Sequence, residues 1–324
     1  MDQFRVGISP HVRHGDTTRT VMLDVCIALL PSVIWGIYAF GLRALFICVI
    51  SLVCCIGFEA ICQGIMRRPV TVSDGSAAVS GLLLAMNLPV TVPLWIVPIG
   101  AFFAMVVVKQ LFGGLGKNFV NPVLCARVIL FVSFPAAMTT YVQPFTGAAV
   151  DGISSATPLS AMNQGILPQD YTLSELLCGT MPGCIGEVSS LLLLAGFLYL
   201  LVRRVITWHI PVAYLGTVAL ITLIFPAVGS GVEYMTYSMF SGGLILGAVF
   251  MATDYVTSPV TRGGKLVYGV LCGLLTYLIR RFGSYPEGVS FAILMMNVPV
   301  WYLDRFFRPR AYGTARFKKK EGKA

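Results

Sequence analysis

The sequence predicts an all-α integral membrane protein of about ten transmembrane helices, built as a five-plus-five inverted repeat with some short or broken helices. Three observations lead there. Of 324 residues, 56% are hydrophobic and 11% charged, whereas a soluble domain carries about 25% charged residues. Mean hydropathy is +0.82, so there are too few charges to coat a soluble surface. Ten apolar segments recur, near 21–40, 44–66, 77–88, 93–111, 120–134, 185–202, 205–225, 234–252, 266–279 and 289–303. A crossing of the hydrocarbon core takes about 20 residues, which leaves the third, fifth, ninth and tenth short. Finally, the halves echo each other. Ser80-Gly81-Leu82-Leu83-Leu84 resembles Ser241-Gly242-Gly243-Leu244-Ile245-Leu246, and Phe112-Gly113 before segment five resembles Phe282-Gly283 before segment ten. Five crossings per half is odd, so the second half runs inverted, as in transporter-like folds with a central site. Gly-Leu matches also arise by chance in membrane sequences.

The segments divide the chain into a polar tail (1–20), a first membrane half (21–134), a long connection (135–184), a second half (185–303) and a basic tail (304–324). The first tail carries Arg5, Arg13 and Arg19 and lacks the apolar core and cleavage site of a signal peptide. Net charge is +9, and its placement orients the chain. With the N-terminus inside, 19 of the 23 Lys and Arg fall on the cytoplasmic side; Arg43, Arg280 and Arg281 fall outside, and Arg127 lies within a segment. Positive charge is retained in the cytoplasm, so both termini are expected there and the 135–184 connection is expected outside. The basic tail then serves topology and contact with anionic lipid. With no aromatic-rich domain behind it, it is not read as a nucleic-acid binder.

Ionisable residues inside a membrane are costly and face the bundle interior or a water path. Asp24, Glu59, Arg127, Asp254 and Glu287 lie in or near apolar segments. Asp24 and Glu59 are the candidates for an ion path, beside the plainer reading as structural partners. The four tryptophans, Trp35, Trp95, Trp208 and Trp301, suit interfacial belts. None of the nine cysteines forms a CxxC pair, and no metal site is expected. Most sit in apolar segments as small buried hydrophobes, while Cys178 and Cys184 share the outer connection, where a disulfide is open to them.

Two local patterns stand out. The run Gly113-Gly114-Leu115-Gly116-Lys117-Asn118 fails as a phosphate loop, because Asn118 stands where Ser or Thr is needed. It reads instead as close backbone approach and a broken helix, with Asn121-Pro122 opening the next helix and its free amides facing a cavity or ligand. The connection contains Asp151-Gly152-Ile153-Ser154-Ser155-Ala156-Thr157-Pro158 and no histidine. A threonine hydroxyl without an adjacent base is a poor nucleophile, so a hydrolase is disfavoured and no catalytic residue is assigned. Thr157 is either part of an ordinary polar loop or a hydroxyl that another enzyme modifies.

These motifs together resemble the D subunit of the Rnf complex, the ion-translocating ferredoxin:NAD oxidoreductase, a family related to the B subunit of the sodium-pumping NADH:quinone reductase. The resemblance spans nearly the whole chain. It rests on Ser9-Pro10-His11-Val12-Arg13, Met22-Leu23-Asp24-Val25, Asp74-Gly75-Ser76, Ser80-Gly81-Leu82-Leu83, residues 113–122, Met251-Ala252-Thr253-Asp254 and Tyr285-Pro286-Glu287-Gly288-Val289-Ser290-Phe291. It implies FMN held on Thr157 through a phosphoester, installed by a flavin transferase that recognises Asp151, Gly152, Ser154, Ser155 and Ala156. It further implies an electron-relaying subunit in a bacterial or archaeal cytoplasmic membrane, with the other Rnf subunits and lipid as partners and Na⁺ or H⁺ moved outward. A second, non-covalent flavin like riboflavin occurs in relatives. Without Thr157 modified, the inverted repeat alone would equally suit a solute transporter or channel.

Overall fold

The computed structural model describes residues 17–145, 157–166, 168, 171–187, 189–283 and 287–308. The described residues form helices and connections, with no β-strand among them. Among the described residues fifteen α-helices begin with α1 (Thr18–Phe40) and α2 (Leu42–Ile65). Each is long and apolar enough to cross a membrane alone. Thr17 opens α1 by accepting the Thr20 amide at 3.3 Å, while the Thr20 hydroxyl oxygen accepts the Thr17 amide at 2.9 Å, a reciprocal cap. Gly41, with φ of 77°, ends α1 by donating to the Ile37 carbonyl at 2.8 Å, and α2 starts at the next residue.

The later segments are helical but shorter or interrupted. Helix α3 spans Ser76–Met86 and α4 spans Ile96–Gln110, its second half wound as a π-helix. Then follow α5 (Pro122–Ser133), α6 (Pro135–Thr139), α7 (Pro158–Asn163), α8 (Leu173–Cys178), α9 (Ser190–Val202) and α10 (His209–Ile224). Segment eight is broken: α11 (Gly231–Phe240) and α12 (Leu244–Met251) meet at 63° across Ser241-Gly242-Gly243. Among the described residues two helices are long and apolar enough to cross a membrane singly, and three spans result if that bent pair counts as one.

Segment nine is longer than its apolar core suggests. Helix α13 runs Arg262–Phe282, because helical backbone continues into the polar Gly-Gly-Lys start and the Arg280-Arg281 end. Segment ten divides at Pro299 into α14 (Val289–Asn297) and α15 (Val300–Phe306), as expected where an amide donor is missing.

Packing relies on small residues. A Cβ on Gly196 would lie 2.6 Å from the Ala28 carbonyl oxygen, so α9 and α1 touch backbone to backbone. On α13, Gly269 and Gly273 form a small-xxx-small pair against α10, with a Cβ on either placed 2.9 Å from the Ile210 or Tyr214 carbonyl oxygen. That spacing puts both on one helix face and lets backbones approach. The Tyr214 and Thr276 hydroxyls, 2.6 Å apart, close the same seam.

Polar ties sort to two ends of the bundle. At one end Asp24 meets Arg203, Glu59 meets Lys109, and Lys265 donates to the Thr207 hydroxyl at 3.2 Å. At the other, Arg43 donates to the Val90, Thr91 and Val92 carbonyls, Trp35 Nε1 donates to the Cys178 carbonyl at 3.1 Å, and the Phe145 amide donates to the Ala39 carbonyl at 2.9 Å. The described residues of the 135–184 connection include α6, α7 and α8, and Phe145 and Cys178 tie it to the second end.

Candidate functional site

Thr157 is the N-cap of α7. Its backbone is extended (φ −66°, ψ 150°), its Oγ1 accepts the Ser160 amide at 3.2 Å, and Ser160 Oγ donates to its carbonyl at 2.8 Å. Pro158 occupies the first helical position, where its missing N–H costs nothing. The side chain is half-buried. Leu159 and Met162 anchor α7 in a small core with Leu176, Met181, Tyr234, Tyr237 and Tyr277. The Tyr237 hydroxyl donates to the Tyr171 carbonyl, and Tyr277 donates to that of Phe225, each at 2.9 Å. Thr157 is therefore a fixed hydroxyl on a packed helix. Asp151, Gly152, Ser154, Ser155 and Ala156 lie outside the described residues.

Beside this core, Arg280 is buried on α13, and its Nη1 donates to the Ser238 carbonyl at 2.6 Å. The glycines of the α11–α12 break lie beside Arg280 and beside Glu187 with Arg127. A Cβ on Gly242 would lie 3.4 Å from Arg280 Nη2, and one on Gly243 would lie 3.6 Å from Arg127 Nη1.

Arg127 organises the second cluster. It projects from α5, donates to Asn87 Oδ1 at 2.5 Å, and is ion-paired with Glu287. Glu187 Oε1 lies 3.7 Å away, and the Tyr141 hydroxyl donates to Glu287 Oε1 at 2.6 Å. Cys184, Glu187 and Glu287 bring donor atoms within 4.8 Å of one another. The Arg127 guanidinium, however, already stands among them and supplies the positive charge a cation would. Cys184 is buried here with a free thiol 3.6 Å from Arg127 Nη2, and Cys178 is exposed and also free. The disulfide left open by sequence is thus not formed, because the two thiols face different surroundings. Glu187 and Tyr141 escaped the sequence reading. Glu187 sits at the polar margin of an apolar run, where an acidic residue ordinarily signals an interface.

The two carboxylates singled out from sequence lie at the opposite end and are not brought together. Asp24 accepts from Tyr199 at 2.9 Å and from Arg203 Nη2 at 3.1 Å. Glu59 Oε1 is 2.7 Å from Lys109 Nζ and accepts from Gln110 at 2.9 Å, while its Oε2 is buried without a partner.

Between these clusters lies a cavity of about 800 Å³, counting its open mouth, with Ser76, Lys109, Asn118, Asn121 and Asp254 among the residues lining it. The expected break is present: Gly113, Gly114 and Gly116 have φ of 117°, 94° and 87°, and α5 opens at Asn121-Pro122. The helix amides are not free for a ligand, because Asn121 Oδ1 accepts from Val123 and Leu124 at 3.0 and 3.3 Å. Asn121 Nδ2 donates to the Met251 carbonyl at 3.3 Å, tying this opening to the end of α12.

An all-helical bundle with apolar outer faces and charges paired inside defines a multi-pass membrane protein. The profile of the NQR2, RnfD, RnfE family matches residues 5–313, and the chain belongs to that family. It is 45% identical to the D subunit of the Na(+)-translocating ferredoxin:NAD(+) oxidoreductase complex of Acetobacterium woodii, over 98% of each chain. It is 39% identical to the D subunit of the proton-translocating ferredoxin:NAD(+) oxidoreductase complex of Clostridium ljungdahlii, over 97% of each. A further relative, the D subunit of the ion-translocating oxidoreductase complex of Stutzerimonas stutzeri, is 41% identical over 90% of this chain and 91% of its own.

Proposed function

We propose that this chain is the D subunit of an Rnf-type complex, a membrane flavoprotein subunit that relays electrons between ferredoxin and NAD while Na⁺ or H⁺ is translocated. The supporting observation is near-complete, end-to-end similarity to relatives carrying that name. On this reading FMN is esterified to Thr157, with Asp151, Gly152, Ser154, Ser155 and Ala156 recognised by the transferase. The residues fit such a group. Thr157 offers a half-buried hydroxyl on a helix that the Leu159 core holds in place. Once attached, FMN takes one or two electrons and so joins one-electron donors to two-electron acceptors. The protein's task is to fix its position and surroundings. The cavity lined by Ser76, Asn118 and Asn121 is the proposed seat of a second, non-covalent flavin.

The remaining finer features belong to the same proposal. Ten crossings in a five-plus-five inverted repeat agree with helix in each of the ten apolar segments. Cytoplasmic termini and an outer Thr157 connection agree with the sorting of polar ties to two ends. Asp24 and Glu59 are kept as ion-path candidates, the other Rnf subunits, a flavin transferase and membrane lipid as partners, and a cytoplasmic membrane as the location.

The test is coexpression with the flavin transferase. The denatured chain is expected to fluoresce and to gain the mass of one FMN less a water, and Thr157→Ala to lose both. Unchanged covalent fluorescence in Thr157→Ala would sink the attachment. A chain with no flavin that still moves a solute would favour a transporter or channel.

A further inference from the structure

We propose that Arg280 is a positioning residue for the flavin on Thr157, its Nε–Nη2 edge binding that group's anionic phosphodiester; the inference rests on the attachment proposed above. Arg280 is 4% exposed. One nitrogen is satisfied by the Ser238 carbonyl, while Nε and Nη2 are buried with no hydrogen-bond partner. Those two N–H groups share one edge of the guanidinium plane, the edge that meets two oxygens of a phosphate or carboxylate at once. Arginine cannot shed its proton to escape burial, and an uncompensated buried cation is strongly disfavoured. The carboxylates of Glu187 and Glu287 lie near enough to act on Arg280 through space, but their contacts are to Arg127 and neither bonds Nε or Nη2. The edge therefore calls for a permanent anion.

The position of that anion follows from the glycine break. A Cβ on Gly242 would lie 3.4 Å from Arg280 Nη2 and also 3.4 Å from Leu159 Cδ2. The guanidinium and the Leu159 side chain thus meet at Gly242, where even a Cβ would touch both. Gly242 has φ of 75°, a conformation that itself favours glycine. Leu159 lies in the first turn of α7, which Thr157 caps. Esterification of Thr157 Oγ1 turns the phosphate of FMN into a diester with one permanent negative charge and two free oxygens, the complement of the vacant edge.

The experiment uses the full-length chain coexpressed with its flavin transferase and purified in detergent. Thr157→Ala, Arg280→Gln and the double variant are compared by intact mass, thermal midpoint and the redox potential of the covalent flavin. Arg280→Gln is expected to lower the midpoint of the FMN-bearing chain by several degrees. In the Thr157→Ala chain it should leave the midpoint unchanged or raise it, since an unpaired buried cation is then removed. Non-additive thermal effects together with a potential that stays put assign the edge to the phosphodiester. A fall by about tenfold in the equilibrium constant for reduction, 59 mV for one electron, overturns that assignment in favour of the pyrimidine edge of the same flavin. Additive thermal effects with the potential unchanged overturn the inference while leaving attachment standing. Absence of FMN on the unsubstituted chain overturns the attachment itself. If Arg280→Gln does not fold, Arg280→Lys replaces it: charge without the fork should load FMN yet lose much of the coupling to Thr157.

Discussion

Arg127 and Glu287 are ion-paired although 160 residues separate them, and the arginine also holds Asn87 and faces Glu187. One guanidinium thus joins α5 to the residues just before α14 and to the end of α3. Removing one member leaves the others charged and buried. Arg127→Met is expected to lower stability by about 3–5 kcal/mol, read as a shift in the denaturation midpoint in detergent. The Arg127→Met/Glu287→Gln double variant should cost less than the sum of the single changes.

The α10–α13 seam makes a steric prediction. A Cβ on Gly273 meets the Tyr214 carbonyl oxygen at 2.9 Å and Thr217 Cβ at 2.8 Å, both on backbone or near it. Gly273→Val should therefore push the helices apart at a cost of roughly 1–3 kcal/mol. The same substitution at Gly216, which has nothing within 4 Å, should be mild by comparison. Melting curves of the two proteins side by side decide it.

Helix α8 has an acid-sensitive start. Glu175 accepts the Thr172 amide at 2.7 Å and the Thr172 hydroxyl at 2.9 Å, and these bonds, the amide first, hold its carboxyl below the ordinary 4.5. A depressed value means the cap is fully present above pH 4.5 and is lost as pH falls through the lower folded value. Hydrogen exchange across 174–178, corrected for its intrinsic pH dependence, should rise in that acid range, and Glu175→Gln should flatten the profile.

Cys178 and Cys184 should behave as two separate thiols. A membrane-impermeant maleimide is expected to label the exposed Cys178 in the native protein and Cys184 only after denaturation. A mass lower by two hydrogens before reduction, with neither thiol labelled after unfolding, would instead mean that they pair.

The ion-path proposal is tested by the ions moved per electron pair in vesicles holding the whole complex. Glu59→Gln and Asp24→Asn are each expected to lower that ratio. An unchanged ratio in a normally assembled complex removes the residue from the path. Glu59 is the sharper case, because one of its oxygens is buried and unbonded, whereas Arg203 opposite Asp24 is half in solvent.

Much of this was legible in the residues themselves. Each of the ten apolar segments that hydropathy marked became helix, and Asn121-Pro122 marked where α5 starts, whereas the short helices α6, α7 and α8 in the connection and the breaks at Gly242-Gly243 and Pro299 were not read. Lengths were less legible, since α13 extends through polar ends that hydropathy does not count, while α5 stops at Phe134 ahead of Pro135. Single ionisable residues were also visible, but their partners were not. Lys109 was read as a topology charge and is in fact buried against Glu59. Arg280 was read as an outer charge and is enclosed, because a pairing across the fold leaves no periodicity in the chain.

The distance in sequence between paired charges also bears on how the chain is made. Asp24 precedes Arg203 by 179 residues and Arg127 precedes Glu287 by 160. At roughly 5–20 residues per second, each early charge waits on the order of ten seconds or more for its partner to be synthesised. An arginine at the centre of a helix costs about 2.5–3.5 kcal/mol to insert alone. The first half of this protein therefore enters the bilayer incomplete, and its biogenesis needs a sheltered interval at the insertion machinery until the second half arrives.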